Sequence, residues 1–341
     1  MGLSLGYYLR RAGADFRILD GEEGPGGAWR HGWQSLRLFS PAGYSSLPGW
    51  LMPPPRHEGF PTRDDVLDYL SRYEERYQLP IHRPVRVTQV ERRAGSLIVV
   101  TEKERFEAEC VVSATGTWSS PYTPQIDGQD QFEGVQVHSA HYVAPGDYAG
   151  KVVLVVGGGN SGAQIMTELA PVARAMWVTT QPPVFLPDDV DGRVLFERAV
   201  ARMKAGPGSA PVGGIGDIVM VPPVKAARDR GDLESVRPFV RMTPKGVIWP
   251  DDSEMAVDAI IWCTGFRPAL DHLRGLDIVE ADGRVLVENQ RSIKEPRLLL
   301  AGYGDWTGSG SATLMGAART ARDLASTILE IVSSVAGNCP E

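Results

Sequence analysis

Three glycines with a fixed spacing, near the middle of the chain, indicate a chemistry most directly. Gly157, Gly159 and Gly162 form the sequence G-x-G-x-x-G, with Asn160 and Ser161 inside it. Without a Cβ, the first two glycines allow a sharp turn close to a phosphate, and the third allows a helix to pack closely on a strand. Backbone N–H groups at a helix start also attract anions. The pattern therefore predicts a site for the pyrophosphate of a dinucleotide.

The segments around these glycines have the character that such a site requires. Residues 151–156, KVVLVV, predict a strand buried on both faces, and SGAQIMTEL after the turn has helical periodicity. The next predicted strand, AMWVTT, ends at Thr179 and Thr180, where the nucleotide ribose should lie. An acidic residue is typical of NAD sites there and would repel a 2′-phosphate. Its absence favours NADPH, although no arginine stands at this point of the sequence either.

Composition limits the class of protein. The chain has 341 residues, enough for two domains, and its 35 basic and 42 acidic residues give a net charge of −7, which argues against a nucleic-acid or anionic-membrane surface. Cys110, Cys263 and Cys339 form no C-x-x-C pair, so no redox dithiol or zinc site is expected. There is no apolar run of membrane-spanning length and no signal-type segment at the N-terminus. A cytoplasmic location is therefore expected.

A second motif lies just before the glycine-rich turn. It has the form F-x-G-x-x-x-H-x-x-x-Y, made by Phe132, Gly134, His138 and Tyr142. Together with A-T-G at 114–116 and T-G-F-R-P at 264–268, it resembles the signature of the flavin-containing monooxygenases, in family order and over nearly the whole chain. The resemblance is nearest to bacterial members associated with arsenical resistance. His138 is then expected in a structural linker, without a role in proton transfer.

The resemblance implies both a fold and a reaction. It implies an α/β protein with two Rossmann-like domains: an FAD-binding domain of residues 1–122 and 266–341, and an inserted NADPH-binding domain of residues 123–265. In the family, NADPH reduces FAD, and the reduced flavin captures O2 as a hydroperoxide that oxygenates a small heteroatom-containing substrate. Tyr142 stands where Baeyer–Villiger enzymes tend to have Trp, which favours heteroatom oxygenation. Catalytic residues stay unassigned, because the active-site Asn of the eukaryotic enzymes has no clear counterpart near Ser40 and Pro41.

Cofactor contacts are also expected from the motifs and from the resemblance. G-G-x-W resembles a flavin-contacting segment, the chain near Val87 is expected at the adenine, and G-x-G-D resembles the element whose aspartate holds the ribityl or phosphate region. The expected FAD residues are Gly2, Asp20, Gly27, Trp29, Val87, Ala114, Thr115, Gly116, Asp305 and Thr313. The expected NADPH residues are Gly157, Gly159, Asn160, Ser161, Gly162, Thr179, Thr180, Thr264 and Gly265.

The beginning of the chain matches only part of a nucleotide-binding unit. GLSLGYYLRR predicts a helix, and GADFRILD predicts a strand, so Gly2 would be the last glycine of a phosphate loop. Asp20 would hold the ribose hydroxyls or, alternatively, be a solvated turn carboxylate. The first strand and two glycines of this unit do not precede the helix. We therefore expect roughly ten further residues in front of Met1, and impaired flavin binding without them.

Several alternatives stay open at this stage. A flavoprotein reductase that passes electrons to a partner would share these motifs, and so would a dinucleotide-binding protein without catalytic activity. Residues 182–250, rich in Pro and Gly, predict an elaborated loop over the active site or a variable surface insertion. The sequence does not decide the substrate and leaves a homodimer open.

Overall fold

The structure is a computed structural model, and it describes residues 1–194, 197, 217–308 and 310–336, with side chains to residue 333. Residues 195–196 and 198–216 of the predicted loop 182–250, and Cys339, lie outside the described residues. The chain divides into two compact units. Unit 1 comprises Met1–Arg30, Pro41–Ser120 and Arg267–Glu341, and unit 2 comprises His31–Ser40 and Pro121–Phe266.

The α-helices with described bounds are α1 (Gly2–Arg11), α2 (Arg63–Tyr77), α3 (Asn160–Leu169), α4 (Pro222–Asp229) and α5 (Leu314–Ala336). Helix α2 starts at a capping box, in which Thr62 accepts the Asp65 N–H and the Asp65 carboxylate accepts the Thr62 N–H. Its buried face carries the apolar and aromatic side chains Val66, Tyr69, Leu70 and Tyr73.

Among the described residues, the strands form five sheets, and their bounds follow in chain order. They are β1 (Ile18–Leu19), β2 (Ile81–His82), β3 (Val87–Arg93), β4 (Ser96–Thr101), β5 (Arg105–Ala108), β6 (Val111–Ser113), β7 (Val135–His138), β8 (Val152–Val156), β9 (Arg174–Val178), β10 (Ser235–Val236), β11 (Arg241–Thr243), β12 (Gly246–Ile248), β13 (Glu254–Ala256), β14 (Ala259–Trp262), β15 (Val287–Glu288), β16 (Arg291–Ser292) and β17 (Leu298–Leu300).

Unit 1 contains three of these sheets. β6 and β17 run parallel, with β16 and β15 beyond β17, while β3, β4 and β5 form an antiparallel sheet. The fully buried Leu298 and Leu300 pack towards the β3–β4 side, whereas Leu299 packs with α1 and α5. This alternation is expected of a strand that is covered on both faces.

The predicted strand of residues 13–20 is shorter than expected. Only Ile18 and Leu19 pair, with the parallel strand β2. β2 lies between Pro80 and Pro84, and a proline nitrogen has no hydrogen to donate. Pro84 also separates β2 from β3.

Unit 2 is built on a parallel sheet of order β10-β9-β8-β14-β7. Val153, Leu154 and Val155 of β8 are fully buried, which confirms the prediction of a strand covered on both faces. One face packs on α3 and α4, and the other packs on Phe239, Met242 and Val247 beside the antiparallel sheet β11–β12–β13. The predicted α/β fold class is confirmed.

Residues 31–40 lie in unit 2 and form the longest segment that the predicted domain boundaries place elsewhere; residues 121–122 and 266 also differ. The indole of Trp33 is buried in the core of unit 2, and Phe39 packs against Leu186 and Val190 of the same unit. The Phe39 carbonyl accepts the Gly192 N–H at 2.8 Å. Unit 2 therefore combines two separate stretches of sequence.

Candidate functional site

The G-x-G-x-x-G corner of unit 2 joins β8 to α3 and has no room for larger residues at two of its glycines. Gly157 has φ +130°, and a Cβ there would lie 2.2 Å from the Cys263 carbonyl oxygen. A Cβ on Gly162 would lie 2.2 Å from the Gly157 carbonyl oxygen. Gly159, by contrast, faces open space. The turn is thus packed tightly from behind and accessible from the side where a ligand would approach.

The start of α3 can receive an anion. Gly159 is its N-cap, and no side chain in the described part of the chain caps it. Its first N–H groups, including that of Ser161, have no partner one turn earlier in the helix and can be donated to a ligand. The Asn160 side chain is engaged otherwise: its amide donates to the Asp217 carbonyl, and its carbonyl accepts the Val219 N–H, both at 2.9 Å. Asn160 therefore positions residues 217–219 beside the corner.

The end of β9 lies next to this corner, because the Gly157 N–H donates to the Val178 carbonyl at 2.9 Å. Thr179 is buried and donates its hydroxyl hydrogen to Ser235, while Thr180 is exposed. The guanidinium of Arg237 donates to the Thr179 carbonyl at 2.9 Å and to the Ser235 hydroxyl at 3.2 Å. The sequence did not reveal this arginine, since it follows a different strand, β10.

Each residue of the F-x-G-x-x-x-H-x-x-x-Y motif has a structural role in unit 2. Phe132 is buried in the core, and a Cβ on Gly134 would lie 2.7 Å from the Asp258 carbonyl oxygen. His138 Nδ1 accepts the Ala140 N–H at 3.1 Å, so its proton is on Nε2, which donates to the Gly265 carbonyl at 3.0 Å. Burial lowers the pKa of His138, which also favours this neutral form.

Tyr142, the last residue of that motif, and two residues of the segment 31–40 donate hydrogen bonds to the same side chain of α3. The Tyr142 hydroxyl donates to Glu168 Oε2 at 3.0 Å, and Ser35 and Trp33 also donate to this carboxylate. Burial raises the pKa of Glu168 above its usual value despite these three bonds. The carboxylate is therefore a shared acceptor for two segments that are distant in sequence.

Thr264 and Gly265 follow β14 and are fixed by Tyr122. The Thr264 hydroxyl donates to the Tyr122 carbonyl, and the Tyr122 N–H donates to the Gly265 carbonyl at 2.9 Å. Gly265 has φ +83°, which favours glycine. Together with the His138 bond, these contacts set the path of the chain where unit 2 ends.

In unit 1, the A-T-G turn after β6 lies beside the G-Y-G-D turn after the neighbouring strand β17. Ala114 follows β6, and a Cβ on Gly116 would lie 4.0 Å from the Gly302 carbonyl oxygen. Gly116, Gly302 and Gly304 all have positive φ values. Carboxyl ends of neighbouring parallel strands are the usual place for a ligand in open α/β sheets.

A chain of buried and partly buried hydrogen bonds supports the A-T-G turn, and its direction can be deduced. Thr115 donates to the Ala269 carbonyl at 2.7 Å, so the Tyr303 hydroxyl, 2.7 Å away, must donate to Thr115. Ser113 then donates to Tyr303 and accepts from His272 Nε2 at 2.9 Å. Burial lowers the pKa of His272 to about 4. The neutral Nε2–H tautomer completes the chain.

Asp305 and Thr313 follow β17. Asp305 is exposed and begins a short 3-10 turn, Asp305–Thr307, after Gly304. The Thr313 hydroxyl donates to the Gly310 carbonyl at 2.8 Å and accepts the Gly316 N–H at 3.0 Å. Thr313 thus stabilises the start of α5, whereas the carboxylate of Asp305 can reach a ligand.

The remaining expected FAD residues lie in other parts of unit 1. Gly2 begins α1, Val87 begins β3, and Gly27 and Trp29 lie in the 3-10 turn Gly27–His31. Asp20 follows β1 and accepts from Arg83 Nε at 2.6 Å and from the Glu22 N–H at 3.1 Å. Arg83 also makes two bonds of 2.7 Å to Glu74. Because a carboxylate accepts about four hydrogen bonds, Asp20 can still accept from ribose hydroxyls.

Two kinds of feature are not found among the described residues. No group of His, Cys, Asp and Glu side chains is arranged to hold a metal ion. No helix in the described part of the chain is both long and apolar enough to cross a membrane.

Comparison with known proteins assigns the family. A family model described as pyridine nucleotide-disulphide oxidoreductase matches residues 1–188. A flavin-containing monooxygenase from Stenotrophomonas maltophilia has a similar structure, with a TM-score of 0.89 and 50% identity over 97% of this chain and 96% of that one. The chain belongs to the flavin monooxygenases of this oxidoreductase family. It is therefore an oxidoreductase that uses FAD and NADPH.

Two further comparisons differ in what they show. The oxidoreductase CzcO of Bacillus subtilis is 31% identical, over 84% of either chain. A bacillithiol disulfide reductase of Staphylococcus aureus is 17% identical with a TM-score of 0.71, over 96% of this chain and 95% of that one, which shows the fold alone. This fold therefore occurs in a reductase as well as in monooxygenases.

The residues of this flavin monooxygenase fit the two cofactors. The uncapped start of α3 and the open side of Gly159 suit the pyrophosphate of NADPH. In unit 1, Gly27 and Gly304 each face open space, which suits close approach of FAD to the backbone.

Proposed function

We propose that this flavin monooxygenase transfers one oxygen atom from O2 to a soft heteroatom, such as sulfur or nitrogen, of a small substrate. FAD would lie along the A-T-G and G-Y-G-D turns of unit 1, held by the FAD residues named above. NADPH would lie along the β8–α3 corner and the end of β9 in unit 2. The open, uncapped glycine corner is the observation that carries this assignment.

When bound, FAD supplies the redox and oxygen chemistry, and the protein residues bind, orient and exclude water. The α3 N–H groups would hold the pyrophosphate, and Thr264 with Gly265 would fix the chain at the end of β14. Tyr142 stands where Baeyer–Villiger enzymes tend to have Trp, and it therefore favours heteroatom oxygenation. Its side chain is buried and donates a hydrogen bond to Glu168. A role in arsenical resistance stays a prediction, as do a cytoplasmic location and a homodimer.

The test is oxygenation of simple substrates by the purified protein supplied with FAD, NADPH and ¹⁸O2. With a dialkyl sulfide, the expected balance is NADPH, H⁺, O2 and the sulfide giving NADP⁺, H2O and the sulfoxide, which carries one ¹⁸O atom. Trimethylamine and cyclohexanone probe nitrogen oxygenation and Baeyer–Villiger oxygenation. NADPH consumption that yields only peroxide, together with fast electron transfer to a quinone, would instead indicate a flavoprotein reductase. A colourless protein that takes up no FAD but binds NADPH would indicate a binding protein without catalytic activity.

A further inference from the structure

Arg237 is a cation at the place where the ribose of the second nucleotide should lie. The Gly157 corner is bonded to the end of β9, so a pyrophosphate at the corner brings the adenosine ribose to Thr179 and Thr180. The sequence provides neither an acid nor an arginine directly after β9. The structure provides the arginine from β10, through its bond to the Thr179 carbonyl.

The guanidinium is held in place but is not neutralised. Its bonds to the Thr179 carbonyl and the Ser235 hydroxyl use two of its five N–H donors. Within the described ranges, no carboxylate forms an ion pair with Arg237. The basic side chains of α4 and the following turn differ, since Arg228 pairs with Asp188 and Asp229, and Arg230 pairs with Asp232.

Both neighbours of the guanidinium are themselves fixed. Thr179 is 2% exposed, and its N–H donates to the Val236 carbonyl at 2.9 Å. Ser235 pairs with Trp177 in the register of β10 on β9. The side chain of Arg237 is exposed, so its remaining donors can reach a ligand from solvent. A planar guanidinium with free donors suits a phosphate monoester, which takes two parallel bonds.

We propose that Arg237 binds the 2′-phosphate of NADPH and sets the preference of this protein for NADPH over NADH. The inference rests on the proposed function only in taking NADPH as the hydride donor. It identifies a specificity residue directly after β10, the strand beside β9, whereas the usual position at the end of β9 carries threonines.

The test compares Arg237→Gln with Arg174→Gln in the full-length protein. Arg174 is the matched control, because it is an exposed arginine at the end of β9 opposite to Thr179. Binding of adenosine 2′,5′-bisphosphate and of 5′-AMP is measured by calorimetry, and kcat/KM is measured with NADPH and with NADH. The loss of hydrogen bonds to a charged group lowers the affinity by roughly 10- to 100-fold.

We expect Arg237→Gln to weaken the bisphosphate about 10- to 100-fold and to leave 5′-AMP within about twofold. The NADPH:NADH ratio of kcat/KM should fall by a similar factor, and Arg174→Gln should change neither. Unchanged bisphosphate binding, or an equal loss for both ligands, would overturn the proposal. If Arg237→Gln does not fold, Arg237→Lys carries the test: it keeps the charge but lacks the planar group that donates two parallel bonds to a phosphate, so an intermediate preference is expected.

Failure of this inference and failure of the proposed function give different results. The calorimetric measurement needs neither O2 nor a substrate. Discrimination for the 2′-phosphate that depends on Arg237, in a protein that oxygenates nothing, would support the inference and contradict the function. Oxygenation with equal use of NADH and NADPH by wild type and Arg237→Gln would do the reverse.

Discussion

Tyr303 is the middle of the directed hydrogen-bond chain from His272 to the Ala269 carbonyl. Its hydroxyl donates to Thr115 and accepts from Ser113, which is 3% exposed. A chain of this kind is interrupted by the loss of one member, because buried donors and acceptors are left without partners.

We expect Tyr303→Phe to lower the free energy of unfolding by about 1–3 kcal/mol, the usual cost of a buried polar group without a partner. Urea unfolding measures this. Tyr8→Phe is the control, because its ring is kept and no hydrogen bond of its hydroxyl occurs among the described residues. Equal stability of the two variants would contradict the deduced chain.

His272 should make stability depend on pH. Burial lowers its pKa from about 6.5 to about 4, so the unfolded state takes up its proton first as pH falls. The contribution of neutral His272 to the free energy of unfolding is therefore complete above pH 6.5 and is lost as the pH falls towards 4. Relative to His272→Gln, the wild type should lose about 3 kcal/mol of unfolding free energy between pH 7 and pH 4. Parallel pH curves for the two proteins would contradict this.

At the scale of elements, the β8–α3 corner depends on the absence of side chains at its glycines. Gly162→Ala places a Cβ against the backbone carbonyl of Gly157, which cannot move without displacing β8. We expect NADPH affinity to fall at least tenfold and stability to fall by about 1–3 kcal/mol, as for overpacked sites. Gly146→Ala is the control, since nothing lies within 4 Å of its added Cβ. Equal NADPH titrations for both variants would exclude this corner as the binding site.

The elements were predictable where the signal is local. Helix α2 follows from its capping residues and apolar spacing, and β8 follows from an unbroken apolar run. The short pairing of β1 was missed, because it depends on the prolines that flank its distant partner β2. Arg237 was missed for the same kind of reason: its neighbour Thr179 is close only through the register of β10 on β9. Local patterns reveal elements and turns, whereas pairings between distant strands decide which side chains meet.

At the scale of the whole molecule, unit 2 is not one continuous stretch. A fragment of residues 121–266 would lack Trp33, which is 5% exposed, and two of the three donors to Glu168. We expect this fragment to be less stable than the same fragment linked to residues 31–40, by about 3–5 kcal/mol, the cost of removing a buried Trp. Chemical denaturation of both fragments is the measurement. Equal stability would show that residues 31–40 add nothing to the fold of unit 2.

The shared carboxylate of Glu168 has a consequence for how such chains can be recombined. The side chains of Trp33, Ser35 and Tyr142 all donate hydrogen bonds to this carboxylate, although they come from both stretches of unit 2. A chimera that exchanges residues 121–266 between homologues would separate these partners unless the ten residues at 31–40 are exchanged with them. In evolution, substitutions in this decapeptide should accordingly follow those in α3 rather than those in the surrounding sequence of unit 1.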